Sequence, residues 1–147
     1  MMKLHLSMAL AAMLFAVPAV HAQVNIAEPW VRATVPEQKV TGAFMKITSP
    51  VDARLVGVST ALAGRTEIHE MAMVGDTMKM RQIPSLPLPA GATVELKPGG
   101  FHVMLFELTV QAKEGDTVPL TLVIEAGGKQ ETVEVNAVVR PLNRPAH

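Results

Sequence analysis

From residue 23 onward the chain alternates apolar and polar positions in short runs, each closed by a cluster of Gly, Pro or Asp. The runs read VNIAEPWVRAT, TGAFMKITS, ARLVGVST, RTEIHEMAM, TMKMRQI, ATVELK, FHVMLFEL, VPLTLVIEA and QETVEVNAVV. Between them lie VPEQK, SPVD, VGD, PSLPLPAG, KPGG, AKEGD and AGGK. A period of two bounded by such punctuation predicts strands and turns. No segment holds a helical apolar period beyond two turns, and STALAGRTE has room for a single helical turn. Short strands at this spacing predict one all-β domain, a Greek-key sandwich or barrel. The final residues RPLNRPAH, 140–147, carry two prolines and little to bury, so they are expected to form a flexible C-terminal tail.

The first 22 residues follow a different pattern. A single Lys precedes the apolar stretch LSMALAAMLFAVPAV, and small residues surround Val20-His21-Ala22. This is the arrangement of a cleaved secretory signal peptide over 1–22, too short and wrongly flanked for a membrane span. The mature protein is then exported, does not span a membrane, and comprises a domain over 23–139 followed by the tail.

Composition removes several functions. With 147 residues the chain is sized for one domain, and 13 basic residues balance 13 acidic ones. Neither net charge nor a basic run supports binding to nucleic acid. There is no cysteine, which excludes a blue-copper electron-transfer centre, zinc ribbons and thiol redox chemistry. No Ser-His-Asp set, phosphate loop or paired catalytic carboxylates is evident, so catalysis is not expected. Trp30 and Phe44 are expected in the core.

The candidate chemistry lies in EIHEMAMVGDTMKM, 67–80, and in GGFHVML further on. Once the signal peptide is set aside, the histidines are His69, His102 and His147, and Met45 alone among the methionines lies outside the window that holds the first two. Alternation puts Glu67, His69, Met71 and Met73 on one face of their strand, with Ile68, Glu70 and Ala72 opposite. A Gly75-Asp76 turn pairs Val74 with Thr77, and hence Met73 with Met78, Met71 with Met80 and His69 with Gln82. His69 is then diagonal to Met80, about 7–8 Å away between backbones. On the later strand, His102 and Met104 share a face opposite Phe101, Val103 and Leu105.

Imidazole and thioether together favour a soft metal. Thioether sulfur is a weak neutral donor that zinc and hard cations rarely take and Cu(I) accepts readily. Two imidazoles and two thioethers leave the ion's charge uncompensated, which favours Cu(I) over Cu(II). Affinity would fall with pH as imidazole protonates. A bland alternative stands beside this: Met fills irregular cores, and His102 inside an apolar run could be a hydrogen-bonded core residue. Strand geometry does not choose between Met71 and Met80.

The spacing His69-x10-Met80-x21-His102-x-Met104 resembles the motif of the PCu(A)C family of periplasmic copper chaperones. PWVRAT, TGAFMKI, TEIHEM, MKMR, LPAGATVELKPGGFHVMLFEL and KEGDTVPLTLVIEAGG resemble the same family, so the likeness covers nearly all of the mature chain. It implies a cupredoxin-like Greek-key β-sandwich with His69, Met80, His102 and Met104 as Cu(I) ligands. Met71, Met73 and Met78 fall outside the motif and are expected to pack around it. The resemblance also implies a monomer that delivers Cu(I) to the CuA centre of a cytochrome c oxidase subunit, directly or with Sco-like thioredoxin-fold proteins. The tail contributes only His147, too little for the Cu(II) site of tailed relatives. A copper-buffering or resistance protein with the same site, and a metal-free interaction module, are the rival readings.

Overall fold

The computed structural model describes residues 23–141 and contains no helix among them. Ten strands follow one another: β1 Asn25–Arg32, β2 Val40–Thr48, β3 Ala53–Ser59, β4 Ala63–Val74, β5 Thr77–Ile83, β6 Leu86–Leu88, β7 Thr93–Leu96, β8 His102–Leu108, β9 Thr117–Ala126 and β10 Lys129–Arg140. Nine occupy the nine predicted runs. The tenth, β6, lies within PSLPLPAG, which reads as a loop because prolines flank and interrupt it. Leu86 and Leu88 are nevertheless buried, and Pro87 is tolerated because β6 is an edge strand. The helical turn allowed for STALAGRTE does not form: Thr60 to Leu62 make a tight turn and β4 begins at Ala63. The signal peptide and residues 142–147 lie outside the described residues; Arg140 ends β10, paired with Arg32 of β1.

The strands form one hydrogen-bonded ladder in the order β5-β4-β8-β2-β1-β10-β9-β3-β6, with β7 also on β2. The ladder folds over, so β3 packs against β4 although the two are not ladder neighbours, and the Thr66 hydroxyl donates to the Val58 carbonyl between them. The turning strand is β1, antiparallel to β2 and parallel to β10. Its register shifts between Ala27 and Trp30, where Glu28 takes a left-handed φ of 50°, and such a bulge bends a strand. The result is the all-β sandwich that the alternation predicts, its two layers joined through β1.

Inward positions of each strand fill the space between the layers. Val31, Ala43, Met45, Ile47, Val103 and Leu105 meet Leu55, Leu120, Leu122, Ile124 and Val139, all buried. Burial of this apolar surface is the main stabilising contribution, at about 25 cal/mol per Å² removed from water. The opposite face of β5, β4, β8 and β2 carries the candidate site.

Candidate metal centre

The β4–β5 hairpin fixes half of the site. Its turn has Gly75 at φ 62°, a conformation that costs glycine little, and the two-residue connection enforces Val74↔Thr77. The ladder then pairs Met73↔Met78, Met71↔Met80 and His69↔Gln82, as the sequence predicts. On its other side β4 pairs with β8 and sets His69 directly against His102 and Glu67 against Met104. The donors therefore lie on one continuous sheet face, carried by three adjacent strands, and not on two faces brought together.

The imidazoles lie side by side, ring centroids 5.5 Å apart, and both are buried, His69 at 8% and His102 at 5% exposure. His102 donates from Nδ1 to the Gly100 carbonyl at 2.8 Å, which leaves Nε2 as the lone-pair nitrogen. His69 is held from the opposite end of its ring: Nε2 is 2.6 Å from the Glu67 carboxylate. Its Nδ1 is buried without a hydrogen-bond partner among the described residues. A buried acceptor left unpaired costs stability, about 1–3 kcal/mol, and a metal ion would satisfy it. Each imidazole thus keeps one nitrogen for a ligand while the other fixes the ring.

A cavity of about 600 Å³ opens beside the His102 ring, and its walls include Met71, Met78, Met80, His102 and Met104. Of the four expected ligands, Met80, His102 and Met104 line this cavity; His69 lies behind, reached through its contact with His102. Met71 lines it as well, so the motif spacing, not the cavity, distinguishes Met80 from Met71. Among the described residues no group of three or more His, Cys, Asp or Glu side chains could hold a metal, and the further side-chain donors beside the imidazoles are thioether sulfurs. Soft neutral donors suit a monovalent ion.

Two groups of residues complete the site. The Arg65 guanidinium, 4.1 Å over the Phe106 ring, pairs with Glu67, which in turn holds His69. Carboxylates in this position orient metal-binding histidines, and their loss typically costs about 10–100-fold in affinity. Glu67→Ala is therefore expected to weaken Cu(I) binding by about that factor, with Glu67→Gln much closer to the parent, because the amide oxygen still accepts from Nε2. Competition against a Cu(I) chelator measures both. Alternation had already put Glu67 on the His69 face, and that two-residue spacing was the available clue. By contrast, Glu70 lies on the other face and pairs with Arg81 at 2.6 Å.

Trp30 and Phe44 are the second group: Phe44 is buried at 4%, as expected of a core residue, whereas Trp30 is only half-buried. Neither joins the core between the layers. They stack outside it with centroids 4.4 Å apart, Arg32 lying 5.5 Å over Phe44 and Arg140 5.3 Å over Trp30. Gly42, opposite Met104, makes room for the ring: a Cβ there would come within 2.8 Å of the Phe44 Cζ. Phe44 and Arg32 then form the cavity wall on the far side from the hairpin.

The profile of a lipoprotein family described as LpqE-like matches residues 24–139. The chain belongs to the LpqE-like family. A relative of this LpqE-like chain in Leifsonia xyli subsp. xyli, Lxx21020, bears a lipoprotein name; it is 31% identical over 102 residues, which are 67% of this chain and 60% of that protein. The chain thus spans about three fifths of the relative's length. Among solved structures, the Cu(I) form of DR1885 from Deinococcus radiodurans is similar at 31% identity and TM-score 0.62, over 78% of this chain and 76% of DR1885. The apo PCuAC domain of PmoF1 superposes with TM-score 0.67 at 23% identity, over 83% of this chain and 98% of that domain, a likeness of fold. The LpqE-like chain therefore has the architecture of a PCuAC domain, although the matching profile bears a different family label from the one its motif resembles.

Proposed function

We propose that this LpqE-like chain is a periplasmic copper chaperone of the PCu(A)C type, exported by its signal peptide. It holds one Cu(I) on His69, Met80, His102 and Met104. The observation that carries this reading is the pair of adjacent buried imidazoles, each with a nitrogen left free, beside a cavity walled by thioethers. The likeness to the Cu(I) form of DR1885 supports the same cargo.

The donor set suits transfer. Each thioether is neutral and weakly bound, and Met80 is 53% exposed, so an acceptor can replace it first. Thiolates outcompete thioethers for Cu(I), so an acceptor with cysteines draws the ion off one ligand at a time. The CuA centre of cytochrome c oxidase, reached directly or with a Sco-like protein, is such an acceptor. No helix of the described residues is long and apolar enough to cross a membrane. The chaperone acts as a monomer, without catalysis.

Mixing the Cu(I)-loaded protein with an apo CuA domain tests the reading. Copper is expected to move to the acceptor, read from the CuA absorption that develops after oxidation. Copper that stays on the donor would point instead to a buffering protein with the same site.

A further inference from the structure

The motif leaves three methionines without a ligand role, and the structure places neither Met73 nor Met78 in a core. Met73 and Met78 are 61% and 50% exposed, so they fill no core; Met45, at 2%, shows what a packing methionine looks like in this chain. Strand propensity does not call for them either, since exposed strand positions favour β-branched and aromatic residues. Yet every position on this face from Met71 to the turn and back to Met80 is methionine.

Register makes the placement specific. Met73 lies directly opposite Met78, and Met71, opposite Met80, is diagonal to Met78. Directly paired residues have Cβ atoms about 4.5–5.5 Å apart and diagonal ones about 7–8 Å. A point just above their centre is therefore about 4–5 Å from each Cβ, a gap that a methionine sulfur and its bond to the ion together can bridge. Lys79 lies on the opposite face opposite Ala72, and Arg81 is engaged by Glu70, so no cation of the hairpin itself shares its thioether face; Arg32 lies on the far wall of the cavity, over Phe44. Asp76, in the turn, adds a negative charge beside it.

We infer that Met71, Met73 and Met78 form a second, thioether-only site for a monovalent soft ion at the tip of the β4–β5 hairpin, next to the His69–His102 centre. The inference rests on the reading that the chain handles Cu(I), and adds to it a site without imidazole. Lacking nitrogen donors and burial, this site is the weaker of the two. Met80 lies between them, across from Met71 and diagonal to His69. An ion held at the tip is thus one side chain away from the ligands of the inner centre.

The test is anaerobic titration of the full chain with Cu(I), and in parallel with Ag(I), while following the 13C-labelled methionine methyl resonances. Two ions per chain are expected, the first moving the Met80 and Met104 methyls and the second those of Met73 and Met78, with Met45 unmoved. The Met73→Leu variant, whose side chain is not part of the cavity wall, should bind one ion at the affinity of the first. The exposure of Met73 makes that variant safe for folding. Saturation at one ion, with the Met73 and Met78 methyls unshifted, would overturn the tip site while leaving the inner centre intact; a patch made for an apolar protein partner would give that result. Absence of any bound ion would remove both readings together.

Discussion

Replacing His102 and Met104 together by alanine is expected to abolish chelator-resistant Cu(I) binding and leave the fold standing. The two side chains supply half of the proposed inner ligand set from a single strand. Losing them should lower affinity by about three orders of magnitude or more, ~4 kcal/mol at 1.4 kcal/mol per tenfold. Stability should change far less. His102 loses a ring contact with His69 and its bond to the Gly100 carbonyl, but Val103 and Leu105, both at 0% exposure, still face the core from β8. Point substitutions of this kind cost about 0.5–3 kcal/mol, against a total of about 5–15 kcal/mol for a domain. Chelator competition together with thermal unfolding reads both quantities. Undiminished tight binding in the double variant would remove these residues from the site.

Leu105→Ala should behave in the opposite way. Leu105 is fully buried and adjacent to Met104 in sequence, yet it points between the layers. Truncating such a leucine costs about 2–5 kcal/mol, from lost transfer energy and the cavity left behind. That is a large share of the stability of a domain this size, so the urea midpoint should fall markedly. The outer face of β8 keeps His102 and Met104, and below the unfolding transition the variant should still take up its tight Cu(I). Strand alternation thus separates the residues that hold the protein together from those proposed to hold the ion, one position apart along the same chain. An unchanged midpoint would mean that the inner face of β8 is not packed as described.

This separation explains what could be read from the amino-acid pattern and what could not. The hairpin register was legible because a two-residue turn at Gly75 leaves no freedom, and every pair from Val74↔Thr77 to His69↔Gln82 follows from it. The direct pairing of His69 with His102 was not, because β4 and β8 are distant in sequence and no short turn fixes their relation. Phe44 is buried as expected, but that it and the half-buried Trp30 lie on the cavity side and not between the layers was not legible, for another reason. Large aromatics are usually core, and that prior outweighed the local signals of Arg32 and Lys46, polar neighbours two positions along on the same faces. Glycine at 42, which lets Phe44 lie flat, carries no sequence signal beyond its size. The β6 strand was hidden by its prolines, since its burial comes from contacts with β3 and not from a pattern of its own.

The exposure of Met80, which in the proposed transfer would admit an acceptor, also lets peroxide reach it. Oxidation to the sulfoxide turns a soft sulfur donor into a polar, harder group that a monovalent ion binds poorly, whereas Met45 in the core is shielded. The hairpin's working life is then set by the oxidants it meets and by the reductases that reverse the damage. A chain with no cysteine cannot lose its site to disulfide formation, but it exchanges that hazard for wear at its most accessible thioethers.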